Sequence, residues 1–78
     1  DPGQMKYDLS LVVDDAGFIE LLEPEIKRFV GGRSTIKLSK RQGKGVVEIS
    51  AEDATALRAS TDSVVQLLKV YEKMRKER

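Results

Sequence analysis

Roughly the last third of the chain contains neither glycine nor proline, which leaves it free to form one long helix. The segment Ser50-Ala51-Glu52-Asp53 resembles a capping box, with Ser50 as the N-cap and Asp53 three residues further on. From there the helix is predicted to run toward Lys76, and its acidic start and basic end suit the helix dipole. In a chain of 78 residues, most of the remaining segments must then supply the surface on which this helix packs.

Three earlier segments alternate between apolar and polar residues, which is the period of a strand with one buried face. Their inward-facing residues are Tyr7, Leu9, Leu11 and Val13 in the first, Ile36 and Leu38 in the second, and Val47, Ile49 and Ala51 in the third. The loop 40–45 contains two glycines and joins the last two segments as a hairpin. These two strands are therefore predicted to pair antiparallel.

A short helix is predicted between the first two strands. Asp14 and Asp15 supply oxygens that can cap it, and Pro24 is expected to break or restart it. Its apolar side carries Phe18, Ile19, Leu21 and Leu22. The order strand, helix, strand, strand, helix predicts an α+β fold, a three-stranded antiparallel sheet with two helices on one face and a polar opposite face. Residues 1–4 are interpreted as a disordered lead or an expression remnant, and residues 5–78 as a single domain.

The composition argues against several classes of function. The sequence has no Cys and no His, so it lacks a thiolate, an imidazole and the usual zinc ligands. Paired carboxylates such as Asp14-Asp15 and Glu52-Asp53 lie where helices begin, which favours capping over metal binding. We therefore expect no catalytic residues, no metal and no cofactor. A domain this small is marginally stable alone, and oligomerisation is the stabilising device that its composition leaves open.

No apolar run approaches the roughly 20 residues that span a bilayer, and the first residues do not resemble a signal peptide. A cytoplasmic protein without membrane contact is therefore expected.

The charge is unevenly distributed along the chain. Residues 1–23 carry one cation against six carboxylates, a net −5, and residues 24–45 carry seven cations against one carboxylate, a net +6. A basic segment can bind phosphates, although solvated loop lysines are commoner and no aromatic residue lies among these cations for base stacking. The candidate RNA contacts are Arg33, Lys37, Lys40, Arg41 and Lys44.

The long helix carries two stripes of residues at steps of three and four. The first is predicted to cover the sheet and comprises Ala54, Leu57, Thr61, Val64, Leu68 and Tyr71. The second is small at its start and apolar at its end, and comprises Ala56, Ser60, Ser63, Leu67, Val70 and Met74. A small sheet buries one helix face, so the second stripe is interpreted as a protein interface. The alternative is a broad core face that also touches the first helix.

The residues 51–63 resemble the signature of the small KEOPS-complex subunit family, which is related to the cancer/testis antigen domain. In that family a strand ends in a turn like Glu-Ala-Glu-Asp and enters the long helix through Ala-Leu-Arg-Ala-Ser, followed by Asn-Ser. The segment Leu22-Glu23-Pro24-Glu25 is similar to the family's Leu-x-Pro-Glu after the first helix. The matching motif residues are Asp53, Leu57, Arg58, Ala59, Ser60 and Ser63. Asp62 stands where the family usually has Asn, which replaces an amide donor with a charge.

This resemblance implies a non-catalytic scaffold. Family members form a dimer, here with a second copy or with a paralogue, and the dimer binds the catalytic transferase subunit of the complex. The complex makes threonylcarbamoyladenosine in transfer RNA, so transfer RNA is a possible partner through the complex. A stand-alone RNA-binding module that uses the basic hairpin is the alternative function.

Arg58 has two interpretations of equal weight. Its planar guanidinium could pair with a carboxylate across an interface, or it could form an ion pair within the chain, with Glu52 or with Asp62 four residues on.

Overall fold

A computed structural model describes residues 5–26 and 32–76 of the chain. The interpretation of residues 1–4 as a lead lies outside these residues. The described elements are β1 (Tyr7–Val13), α1 (Gly17–Leu22), a 3-10 helix (Glu23–Glu25), β2 (Ser34–Arg41), β3 (Lys44–Ala51) and α2 (Ala54–Lys76). The predicted α+β fold with the order βαββα is confirmed.

The described strands form one antiparallel sheet in the order β1-β3-β2, with β3 in the centre. The hairpin between β2 and β3 is tighter than the sequence indicated, because the strands extend to Arg41 and Lys44. Only Gln42 and Gly43 form the turn, with φ angles of 52° and 80°. Two positive φ angles in a two-residue loop are typical of a type I′ turn, whose twist matches that of paired strands.

Both helices lie on one face of the sheet and contact β2, β3 and each other. Every second residue of β3 is buried beneath them, including Val47, Ile49 and Ala51. Phe18 and Leu22 of α1 are fully buried, as is Val64 at the middle of α2. These buried residues agree with the alternation and with the first helical stripe, whereas Ala54 of that stripe and Leu9 of β1 are exposed and were wrongly predicted to face the core. The core fixes where α2 crosses the sheet.

Pro24 restarts the chain in a new helical turn, as expected. It lies in the first turn of the 3-10 helix, where a missing N–H costs no hydrogen bond.

The opposite face of the sheet is open and largely polar. One row across it consists of Ser10, Glu48 and Lys37, in β1, β3 and β2 respectively. The exceptions to the predicted polar face are Val12 on the edge strand β1, which is 57% exposed, and the half-buried Val46 opposite it on β3.

Candidate protein-binding surfaces

The start of α2 is fixed by Asp53. Its Oδ1 accepts the backbone N–H of Ala56 at 2.8 Å, which is the geometry of an N-cap residue, and its Oδ2 accepts Arg33 Nη1–H at 2.8 Å. The assignment of Ser50 as the N-cap is wrong, because β3 continues to Ala51 and Ser50 Oγ donates to Asp8 on the open face. Asp53 therefore serves both as the cap and as the anchor of the chain that enters β2.

Ser60 of the predicted interface stripe lies in the core. It is 2% exposed, and its Oγ lies 2.8 Å from Ser34 Oγ at the start of β2. Two buried hydroxyls satisfy each other there, which joins the first turns of α2 to the sheet. Ser60 contributes to the placement of the helix and offers no surface to a partner.

The later part of the same stripe is exposed. Val70 and Met74 are 49% and 52% exposed, and Leu67 is half-buried against the core. Ser63 and Ala56, earlier in the stripe, are also half-buried, and Ser63 Oγ donates to the carbonyl of Ala59 in its own helix. We call Ser63, Leu67, Val70 and Met74 the outer flank. Large apolar side chains at half exposure on consecutive turns are typical of a surface that a partner covers.

A second apolar surface lies on the other side of α2. A helix turns about 100° per residue, so Val65 lies about 100° to one side of buried Val64 and Val70 lies about 120° to its other side. Val65 is 40% exposed, and Leu9 on the helix-facing side of β1 is 39% exposed. A concavity of about 260 Å³ lies between the end of β1 and the second half of α2, lined in part by Leu11, Val13, Leu68, Tyr71 and Glu72. We call Leu9, Val65 and this concavity the edge groove.

Asp15 attaches the second half of α2 to the turn before α1. Its Oδ1 accepts the N–H of Gly17 at 2.9 Å, and its Oδ2 accepts the hydroxyl of Tyr71 at 2.9 Å. Arg75 Nη1 lies 3.3 Å from the same Oδ2. The Tyr71 ring also packs on Phe18, with ring centroids 5.7 Å apart. We call these contacts the Asp15 latch.

The latch shifts the pKa values of Asp15 and Tyr71. The Gly17 N–H and then the Tyr71 hydroxyl hold the pKa of the Asp15 carboxyl below its ordinary value. Partial burial, followed by the hydrogen bond to Asp15, raises the pKa of Tyr71. A side chain at position 17 would disturb the latch, because a Cβ there would lie 2.5 Å from the Tyr71 hydroxyl oxygen.

Arg58 forms an ion pair within the chain. Its Nε lies 3.7 Å from Asp62 Oδ2, four residues on, and both side chains are largely exposed. This is the intramolecular alternative, and it gives Asp62 a contact with Arg58 that the usual Asn could not make as an ion pair. An exposed pair of this length contributes little to stability, so Arg58 stays available to exchange partners.

Three of the five candidate RNA contacts are in ion pairs with carboxylates of the same chain. Arg33 pairs with Asp53 at 2.8 Å, Lys40 with Glu20 at 2.9 Å and Lys44 with Asp14 at 3.8 Å. Lys37 and Arg41 alternate along β2 on the open face, and neither is in an ion pair with another described residue. The structure thus divides the described part of the basic segment, and leaves Lys37 and Arg41 on one face without an ion pair to a described residue.

Over residues 5–26 and 32–76, no group of three or more Asp or Glu side chains could hold a metal ion. No helix within that range is long and apolar enough to cross a membrane. Neither result adds a site to the surfaces described above.

The structure divides the predicted interface residues between core and surface. It brings Leu67, Val70 and Met74 together on one flank and assigns Ser60 to the core. Val65 and Leu9 were missed, because the first is in neither stripe and the second was counted among core residues of the sheet. The spacing of Val65, Leu68 and Glu72 at steps of three and four could have indicated this additional flank.

Comparisons with known proteins agree with the motif and the fold. No curated protein shows a significant match to this sequence. A protein-family model described as transcription factor Pcc1 matches residues 18–75, from the first buried residue of α1 to the last turn of α2. That match spans β2, β3 and both helices, and this family supplies a subunit of the KEOPS/EKC complex. The chain therefore belongs to the Pcc1 family of KEOPS/EKC complex subunits.

Proposed function

We propose that this chain is a non-catalytic, dimerising scaffold subunit of the KEOPS complex. In this role it supports formation of threonylcarbamoyladenosine in transfer RNA by binding the catalytic transferase subunit. The observation that carries the proposal is the outer flank, where Val70 and Met74 stay about half exposed on a helix that already buries one face on the sheet. Family membership supports a KEOPS-type role in general, and the flank supplies a surface for the contact.

The outer flank suits a protein partner better than a small ligand. It lies on the convex surface of a helix, whereas small-molecule sites are concave and enclose most of the ligand. The neighbouring Lys69 and Lys73 are exposed cations on the polar side of α2. An apolar strip beside cations matches a partner helix that has an apolar face and carboxylates along one border.

The test is reconstitution of the modification reaction with Val70→Glu and Met74→Glu combined. The matched control is Thr55→Glu, which adds charge at an exposed position in the first turn of the same helix, about 20 Å away. Each variant is checked for folding by circular dichroism. We expect the double variant to lose binding to the transferase subunit and most threonylcarbamoyladenosine formation, while the control retains both. Unchanged binding and activity in a folded double variant would contradict the proposal.

Stand-alone RNA binding is the second candidate function. The observation that favours it is that Lys37 and Arg41 lie on the open face of β2 and form no ion pair within the described part of the chain. If they contact phosphates, Lys37→Ala with Arg41→Ala weakens transfer RNA binding by the isolated chain and flattens its salt dependence. An affinity that is equal in wild type and double variant across salt concentrations removes this candidate.

A further inference from the structure

The described sheet has two edge strands, and β2 is the more basic of the two. It carries Lys37, Lys40 and Arg41 and no carboxylate, whereas β1 carries one carboxylate, Asp8, and no cation. Two copies of β2 side by side would place cations against cations, which disfavours their pairing. The same cations attract a strand that carries carboxylates. The occupant that suits this edge is therefore acidic, and it is not a second β2.

The backbone of β2 has hydrogen-bonding groups that the described sheet does not use. Glu52 N–H donates to the carbonyl of Arg33 at 3.0 Å, and opposite residues of antiparallel strands alternate between bonded and non-bonded pairs. The register of β2 on β3 therefore directs the bonds of its odd-numbered residues toward β3. The N–H and C=O groups of Ile36, Leu38 and Lys40 point away from β3 and bond to no other described backbone segment. Such a row is a template for one more strand.

The side chains of β2 differ between its two sides. On the helix-facing side, Ile36 and Leu38 are half-buried against the core. On the open face, Lys37 and Arg41 are exposed, and neither is in an ion pair with another described residue. These two cations are four residues apart, which is about 13 Å along a strand. An added strand would thus meet apolar residues on one side and two spaced cations on the other.

We propose that β2 binds an extended acidic segment of a partner protein, which joins the sheet as an added antiparallel strand. Its carboxylates lie opposite Arg41 and Lys37, four residues apart, and its apolar residues lie opposite Leu38 and Ile36. The outer flank lies on α2, so this contact is additional to the transferase contact of the proposed function. The two can therefore fail independently.

The backbone and apolar groups of this edge favour a peptide over a nucleic acid. Phosphates would use the two cations but not the row of outward N–H and C=O groups. A peptide strand bonds to that row, and opposite-charge pairs across the strands add affinity and fix the register. The sequence of β2 also contains no aromatic residue on which a base could stack.

Two synthetic peptides of equal composition test the charge pattern on the full chain. The first contains Glu-Thr-Thr-Val-Glu-Val, in which the two Glu residues are spaced to meet Arg41 and Lys37. The second contains Val-Glu-Glu-Thr-Val-Thr, which keeps the charge and loses the spacing. Titrations followed by nuclear magnetic resonance should show about three- to tenfold tighter binding of the first peptide, with shifts of the Ile36 and Leu38 amides. Equal affinities, or no binding of either at millimolar concentration, would overturn the proposal.

Charge reversal tests which residues hold the peptide. Lys37→Glu combined with Arg41→Glu should weaken binding of the first peptide about tenfold or more. Replacing both Glu residues of the peptide by Lys should restore binding to this double variant. Lys69→Glu combined with Lys73→Glu makes the same charge change at exposed positions of α2 and should have no effect. A similar loss in both double variants, or no recovery with the Lys peptide, would contradict the site.

A proline substitution tests the added strand itself. Lys40→Pro removes an outward N–H without removing a bond to β3, and its matched control Lys40→Ala keeps that N–H. Both variants lose the ion pair with Glu20 and are checked for folding by circular dichroism. We expect Lys40→Pro to bind the first peptide about three- to tenfold more weakly than Lys40→Ala.

Equal peptide binding by the two folded variants would show that no strand is added at β2. Transfer RNA is titrated against the wild-type chain and the Lys37→Glu, Arg41→Glu double variant in parallel. RNA binding that depends on these two cations, in a chain that does not bind the acidic peptide, would assign the edge to nucleic acid and overturn the proposal.

Discussion

The two halves of α2 differ in what their side chains contact. The first half is held by the Asp53 cap, by the buried pair of Ser60 with Ser34, and by Val64 in the core. The second half exposes Val70 and Met74 and is attached by the Asp15 latch. One continuous helix thus has a first half that specifies the fold and a second half that is available for recognition. Substitutions of the same kind in the two halves should therefore have different consequences.

The largest difference is expected between Val64→Asp and Val70→Asp. Val64 is 1% exposed, so a carboxylate there is buried without a partner and should cost about 4 kcal/mol or more, enough to unfold a domain of this size. Val70→Asp places the same group at a half-exposed position and should cost less than about 1 kcal/mol. Urea unfolding of both variants measures the two effects. Similar losses of stability would show that the outer flank belongs to the core.

Gly17→Ala tests how the second half is attached. The added Cβ would lie 2.5 Å from the Tyr71 hydroxyl oxygen and 3.1 Å from Asp15 Oδ1, so the latch must open or shift. We expect a loss of about 2 kcal/mol, measured by thermal or urea unfolding. Gly32→Ala is the matched control, because a Cβ there meets no atom within 4 Å. A Gly17→Ala variant as stable as Gly32→Ala would mean that the latch contributes little.

Ser60→Ala tests the attachment of the first half. It leaves Ser34 Oγ buried without a partner and should destabilise the domain by about 1 kcal/mol in urea unfolding. Ser63→Ala, whose hydroxyl bonds only within the helix, should change stability by less than about 0.5 kcal/mol. The double variant Ser34→Ala with Ser60→Ala should recover part of the loss. Additive losses would contradict a direct bond between the two hydroxyls.

The smallest expected effect is a pH dependence that originates in the latch. The folded-state pKa of Asp15 is lowered, so its contribution is complete above the unfolded-state pKa and is lost as the pH falls through the folded-state value. Asp15→Asn should therefore be less stable than wild type at neutral pH, and the gap should close in acid. Tyr71→Phe should reduce the pH dependence without removing it, since the Gly17 N–H remains a donor. Unfolding free energies measured from pH 7 downward decide this, and a constant gap between Asp15→Asn and wild type would contradict it.

The sequence alone predicts the order of the elements and most of the core. Alternation and helical spacing are local signals, and they correctly place Val47, Ile49 and Val64 inside. The cap was misassigned because Ser50 matches the local pattern, although its strand continues through the pairing of Ser50 with Asp8 and Thr35. That pairing depends on residues distant in the chain.

The candidate surfaces were predicted less completely for the same reason. The role of Ser60 depends on Ser34, 26 residues earlier, and no helical period can indicate that contact. Val65 is exposed because β3 occupies the centre of the sheet and β1 is an edge strand. The strand order is not a local signal in the sequence. The exposure of Val70 and Met74 agrees with what the spacing alone predicted, because these residues lie where the helix has the least core to cover.

Hydrogen exchange along α2, with and without the purified transferase subunit, tests the division between its two halves most directly. We predict that amides in the turns that carry Leu67, Val70 and Met74 gain protection in the complex, while those before Ser60 change little. A stable complex in which protection rises only in the β2–β3 hairpin, with the outer flank unchanged, would contradict the assignment of recognition to the second half of the helix.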